Sequence, residues 1–176
     1  MASMNRTFRS KIRRNILSNE LSKKLNEQLN FEIESAYIYM AMANYMDTQG
    51  MSGFDHFFVK QAKEELEHAK EFYDFLQEKD WAPEYEAIAK PPKEFGNFTD
   101  TFRAAYEHEQ EVTSRIKAIY KEAIEVGCID TQEFLNKFIK EQREEEDTFR
   151  GIVERLERIN ESWNGLYIFD RELAQR

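Results

Sequence analysis

Glu65 and His68 stand three residues apart in KQAKEELEHAKEF. On a helix that spacing puts a carboxylate and an imidazole on one face, where a single metal ion can take both. Alone the pattern is weak, because Glu-x-x-His arises by chance in many helices. It gains weight from four more polar positions that interrupt three otherwise apolar stripes: Glu32, Glu109, and Gln142 with Glu145. A buried, unpaired carboxylate is costly enough that it normally protonates or is replaced. Four such carboxylates in one core repel one another and make sense only around strong positive charge. Two divalent cations would balance Glu32, Glu65, Glu109 and Glu145. Carboxylate oxygens with one imidazole suit iron or manganese, with zinc as a further candidate.

The stripes belong to four long helices. Periodicity places the first at about 18–47, the second at about 52–80, the third at about 97–127 and the fourth at about 130–160. A short fifth is expected at about 165–174. Ser52-Gly-Phe-Asp55 and Asp130-Thr-Gln-Glu133 have the form of N-terminal capping boxes, and Asn97 of an N-cap. Alternating spacings of three and four give inward seams of Leu25, Leu29, Glu32, Ala36, Tyr39, Ala43 and Met46 on the first helix. The second seam reads Met51, Phe54, Phe58, Gln61, Glu65, His68, Phe72 and Phe75. The third reads Phe102, Ala105, Glu109, Val112, Ile116, Ile119, Ala123 and Val126. The fourth reads Leu135, Phe138, Gln142, Glu145, Phe149, Ile152, Leu156 and Ile159. At a rise of ~1.5 Å per residue, the polar positions lie at similar depth on either side of their turns. Short turns make the first and second helices, and the third and fourth, antiparallel pairs. The proline-containing segment between the pairs is long enough to run the length of a bundle. The expected fold is all-α, a four-helix bundle with one long crossover and a short C-terminal helix, which the handful of Gly and Pro favours.

With 25 basic and 34 acidic residues the net charge is −9, which fits cations better than nucleic acid or an anionic membrane. The single cysteine, Cys128, excludes an internal disulfide framework and a four-cysteine metal site, and it fits the reducing cytoplasm. No run approaches the ~20 apolar residues of a membrane span. Residues 1–17 carry Arg6, Arg9, Lys11, Arg13 and Arg14 without an acid. They read as a basic N-terminal extension to a domain at 18–176: a surface tail, an organelle transit segment or an expression remnant, with Met4 as an alternative start.

From Leu21 onward the chain resembles the ferritins of bacterial type, on LNEQLNFEIESAYIY, KQAKEELEHAKEF, YEHEQ, FLNKFIKEQREEE and GLYIFDREL. Gln142-x-x-Glu145 stands where haem-bridged bacterioferritins carry Glu-x-x-His, so the resemblance implies no haem. It implies a di-iron ferroxidase centre. Glu32, Glu65 and His68 would ligate one iron, with Glu65 bridging, and Glu109 and Glu145 would hold the second with Gln142 nearby. It further implies that Tyr39 is an electron donor beside the centre, although core packing would also explain that residue. Glu64, Glu141 and Glu144 match a third iron site, with solvated acids as the other reading. Fe(II) would be oxidised by O2 or H2O2 and stored as ferric mineral in a homo-oligomeric shell of twenty-four subunits. In that shell GLYIFDREL would line the four-fold axis.

The competing reading is a di-iron oxidase or peroxidase of the same superfamily without a storage role. A rubrerythrin-like version would need four cysteines, and a ribonucleotide reductase subunit a much longer chain. His56 and His108 fall off the ligand positions and read as surface or packing histidines. Asp130 and Glu133 fall near the turn where ferritins place acidic three-fold channels.

Overall fold

A computed structural model of the chain describes residues 17–175. Residues 1–16 of the expected extension at 1–17 lie outside the described residues, and its last residue, Leu17, is buried in the core. Five helices follow in order: α1 (Asn19–Thr48), α2 (Ser52–Glu78), α3 (Phe98–Glu125), α4 (Ile129–Ile159) and α5 (Trp163–Leu173). The all-α bundle with a short last helix is as expected, and α5 starts two residues earlier than the sequence suggested.

The core consists of two apolar clusters. One contains Leu21, Leu25, Leu29, Phe72, Phe75, Val112, Ile116, Leu135 and Phe138. The other contains Ala36, Tyr39, Met46, Phe54, Phe58, Phe102, Phe149, Ile152 and Leu156, together with Leu166, Phe169 and Leu173 of α5. Every long helix passes from one cluster to the other, and it does so at its polar interruption. The crossing falls at Glu32 between Leu29 and Ala36, at Glu65 and His68 between Ala62 and Phe72, and at Glu109 between Ala105 and Val112. On α4 it falls at Gln142 and Glu145, between Phe138 and Phe149. The order of crossing also fixes direction. α1 and α4 run one way, α2 and α3 the other, so segment 79–97 must return the full length of the bundle.

Two asparagines one helical turn apart hold that returning segment. Asn26 donates from Nδ2 to the Glu84 carbonyl (3.0 Å) and accepts from the Glu84 amide (2.8 Å). Asn30 donates to the same carbonyl (2.8 Å) and accepts from the Glu86 amide (2.9 Å). The side-chain amides thus supply the pairing that a neighbouring strand would give. At about 1 kcal/mol per bond lost, Asn26→Ala is expected to speed hydrogen exchange at the Glu84 amide by at least about fivefold. The Glu86 amide, held by Asn30, should change less, and equal acceleration at both would contradict the clamp.

Helix ends follow the sequence only in part. Ser18 caps α1 by accepting from the Leu21 amide (3.2 Å), and Asn97 caps α3 by accepting from the Asp100 amide (2.7 Å). Neither expected capping box forms. The N-cap of α2 is Met51 and that of α4 is Cys128, each without a side-chain cap bond. On α2 the missing partner arrives from α5: Asp170 Oδ1 accepts from the Phe54 amide at 2.8 Å. On α4 the helix starts before Asp130, which pairs with Lys79 at the end of α2 instead. Val126, placed in the third seam, is exposed, because α3 stops at Glu125 and Val126 is its C-cap.

Candidate metal centre

Most of the polar layer is buried. Glu32 and Glu109 have no exposed surface, while Gln142 and Glu65 are 2% and 3% exposed. Glu32, Glu65 and His68 bring one ligand atom each within 4.8 Å of one another, and no other such group of metal-ligating side chains occurs among the described residues. His68 Nδ1 lies 3.5 Å from Glu65 Oε2, and its ring packs edge-on against Phe138. Gln28 donates to Glu32 Oε1 at 2.9 Å. Glu32 Oε2 and Glu65 Oε2 are buried with no hydrogen-bond donor. Such oxygens are rare in a folded core because water has been stripped from them without replacement. A cation between them would answer that need.

Glu109 and Glu145 are near but otherwise engaged. Tyr39 donates its hydroxyl proton to Glu109 Oε1, and Gln142 Nε2 donates to Glu109 Oε2 at 2.9 Å. Glu145 is half-buried and accepts from Gln61 Nε2 at 3.0 Å. A second metal would therefore have to displace or share these bonds. Around the expected third site, Glu64 and Glu141 each hold one buried carboxylate oxygen without a donor. Glu141 Oε2 lies 3.7 Å from His68 Nε2. Glu144 is exposed, 3.9 Å from Lys140.

His56 is exposed. His108 is half-buried, with Nε2 2.7 Å from Ser35 Oγ and its ring stacked on Phe31. Burial, aided by the nearby Arg115 charge, lowers its pKa to about 4, so it is neutral at ordinary pH. Gln28, Gln61 and Arg115 touch the site's carboxylates or their partners; the sequence placed only Gln61, as a member of the second seam, and assigned a role to none of the three. The available signal was spacing, since Gln28 and Gln61 each precede a ligand-type glutamate by four residues.

The ferritin-like domain profile matches residues 22–159. This chain belongs to the ferritin family. Among curated relatives, the bacterial non-heme ferritin of Staphylococcus haemolyticus is 39% identical over 145 residues, covering 82% of this chain and 87% of the relative. That of Staphylococcus aureus is 37% identical with the same coverage. Among solved structures, the open pore ferritin of Archaeoglobus fulgidus superposes with a TM-score of 0.90 at 38% identity, covering 91% of this chain and 99% of that one.

Electrostatically, this ferritin core resists holding its charges unaided. Burial pushes Glu32 well above the usual carboxylate range, and the Glu65 charge adds to it. Glu65 is raised well above its ordinary value by burial and then by Glu109. Burial raises Glu109 to about 7, against the opposing hydrogen bonds from Tyr39 and Gln142. Tyr39 is pushed well above its ordinary value by burial and by Glu109. A carboxyl that keeps its proton up to neutrality must release it to bind a cation. Zinc binding at both positions of the iron-stripped protein is therefore expected to release protons, and the share that comes from Glu109 should fall away between pH 6 and pH 8. Apparent affinity should rise with pH, because Glu32 and Glu65 must also give up protons. Calorimetry in buffers of different ionisation enthalpy would read this, and pH-independent proton release would refute it.

Proposed function

We propose that this ferritin is an iron store with ferroxidase activity, acting in the cytoplasm, the compartment its lone cysteine fits. The observation that carries the reading is the buried Glu32, Glu65 and His68 group, in which both carboxylates keep an oxygen without a hydrogen-bond donor. In this reading Fe(II) is the substrate. Glu32, Glu65 and His68 hold one ion, Glu65 bridges, and Glu109 and Glu145 take the second as Gln142 remains hydrogen-bonded beside them. Two Fe(II) ions give up one electron each, and O2 with two protons becomes H2O2; alternatively H2O2 itself, with two protons, accepts the pair and becomes two waters. The protein contributes spacing, charge balance and a water-poor site.

In this reading Tyr39 can supply one electron in place of an Fe(II), its hydroxyl proton passing to Glu109 Oε1, which already accepts from it. Glu64, Glu141 and Glu144 form a third iron site on the way to the mineral. The buried, donor-free oxygens of Glu64 and Glu141 support this assignment. The store itself is the hollow interior of a shell of twenty-four copies of this chain, with α5 at its four-fold axis.

The deciding experiment is aerobic addition of Fe(II) to the purified protein, followed by oxygen uptake, size-exclusion chromatography and electron microscopy. Storage predicts iron-dependent oxygen uptake and electron-dense cores inside uniform shells. Rapid oxidation by particles that never accumulate mineral would favour the oxidase without a storage role. A monomer that neither oxidises nor retains iron would refute both readings.

A further inference from the structure

Gln28 sits one helical turn before Glu32 on α1 and is 1% exposed. Its amide has only one orientation that satisfies its neighbours. Arg115, on α3, donates from Nε to Gln28 Oε1 at 3.2 Å. A guanidinium has no acceptor, so the amide oxygen must face it. The amide NH2 is thereby turned to Glu32, where it donates to Oε1 at 2.9 Å. One oxygen of Glu32 is thus occupied and the other is left without a donor, in a residue that clusters with Glu65 and His68. Arg115 is itself held in place. Its guanidinium lies 4.0 Å over the Phe31 ring, and Nη1 is 3.8 Å from Glu111. The chain of contacts therefore runs from a guanidinium at the protein surface, 34% exposed, to a carboxylate with no exposed surface.

We propose that Arg115 and Gln28 are positioning residues that present Glu32 to the first iron through a single oxygen, with Arg115 acting only by fixing the Gln28 amide. The relay has two consequences for the ligand. It restricts Glu32 to one rotamer, so the carboxylate need not be ordered when metal arrives. It also fills the other oxygen of Glu32 with a hydrogen bond, so that only the donor-free oxygen is open to an ion. Leu at position 28 would keep much of the volume and remove both functions. This inference rests on the reading of Glu32 as an iron ligand, and its test separates the two.

The test is Co2+ titration of the assembled, iron-stripped protein, read by the Co2+ absorption bands and by calorimetry, with no iron or oxygen involved. Loss of an outer-shell partner typically weakens metal binding by about 10–100-fold, and Gln28→Leu is expected to weaken the first Co2+ within that range. Arg115→Leu, at the surface, should weaken it in the same direction by a smaller factor. In the Gln28→Leu background it should add nothing, because its route is then already cut. Arg115→Lys should recover part of the loss. In iron oxidation the effect should appear in KM for Fe(II) more than in kcat.

Wild-type Co2+ affinity in Gln28→Leu would overturn the relay, as would an Arg115→Leu effect that persists in full without Gln28. Should Gln28→Leu fail to assemble, wild-type Co2+ affinity in Arg115→Leu alone would overturn it. Glu32→Gln is the control: if that variant binds the first Co2+ normally, the reading of the site fails as well.

Discussion

Glu65→Gln is expected to act in two opposite directions, abolishing rapid Fe(II) oxidation while stabilising the metal-free protein. The first effect follows from the loss of the carboxylate assigned to both ions. Removing a mere outer-shell partner lowers activity about 10–100-fold, so removing this ligand should exceed that range and leave oxidation near the uncatalysed rate. The second effect follows from what the same carboxyl does without metal. It is 3% exposed, has an oxygen with no hydrogen-bond donor, and lies in the field of Glu109, Glu145 and Glu64. An amide of the same shape carries no charge and can donate to the donor-free oxygen of Glu32. Relief of an unsatisfied buried group is worth about 1–3 kcal/mol. At ~2–4 °C per kcal/mol for a chain of this size, the thermal midpoint should rise by several degrees.

The gain should also depend on pH, with a definite sign. The folded-state pKa of Glu65 lies well above its ordinary value, so the carboxyl's contribution to stability is complete only below that ordinary value. It is lost as pH rises toward the folded pKa. Glu65→Gln should therefore be nearly neutral at pH 4.5 and most stabilising at pH 8. Parallel oxygen-uptake and melting measurements would check both arms. A variant that oxidises iron at the parental rate, or melts lower at pH 8, would contradict the assignment.

Much of the arrangement behind this prediction was legible in the sequence, for a specific reason. Each seam had to be apolar to bury its face, so Glu32, Glu65, Glu109 and Gln142 stood out as violations. A violation that recurs at one depth on four helices needs a common cause. Glu145 was less determined: it lies at the edge of the layer, where Gln61 holds it and burial is incomplete. Gln28 and Arg115 were hidden because a buried glutamine in a helix looks like any polar residue until its partner is known. That partner lies 87 positions along the chain. The helix caps failed for a related reason. Ser52 and Asp130 have the right residue type in the right local pattern, but a cap depends on where the chain enters the helix. At α2 the position of α5 supplies a better acceptor than any local side chain.

That docking of α5 makes Gly53→Ala the second large effect expected in this protein. Gly53 lies in the first turn of α2, and a Cβ there would stand 1.8 Å from the Asp170 carbonyl oxygen and 2.5 Å from its carbon. Both are backbone atoms inside a helix, so no side-chain rotation relieves the overlap. α5 must move off α2, and the Phe54 amide then loses its bond to Asp170 Oδ1, a capping contact worth about 1 kcal/mol. Leu166, Phe169 and Leu173, now 1%, 3% and 8% exposed, would lose their seats in the apolar cluster around Phe54 and Phe102. At ~1.5–3 kcal/mol for each such side chain, the total reaches several kcal/mol. That is enough to make undocking of α5, rather than strain within α2, the result.

The expected signature is local. Exchange at the Phe54 amide should accelerate by orders of magnitude, and Arg171 should become sensitive to trypsin. The Glu84 and Glu86 amides at the crossover should keep their protection. Gly151→Ala provides the contrast, since a Cβ at that exposed helical position meets nothing within 4 Å. Removing a mid-helix glycine there should stabilise α4 by roughly 0.5–1 kcal/mol. If both alanines were equally tolerated, the contact between Gly53 and Asp170 would not be what holds α5. Under the proposed function, Gly53→Ala subunits should also fail to close shells at the four-fold axis while retaining Co2+ at Glu32, Glu65 and His68. That separates the assembly role of α5 from the chemistry of the polar layer.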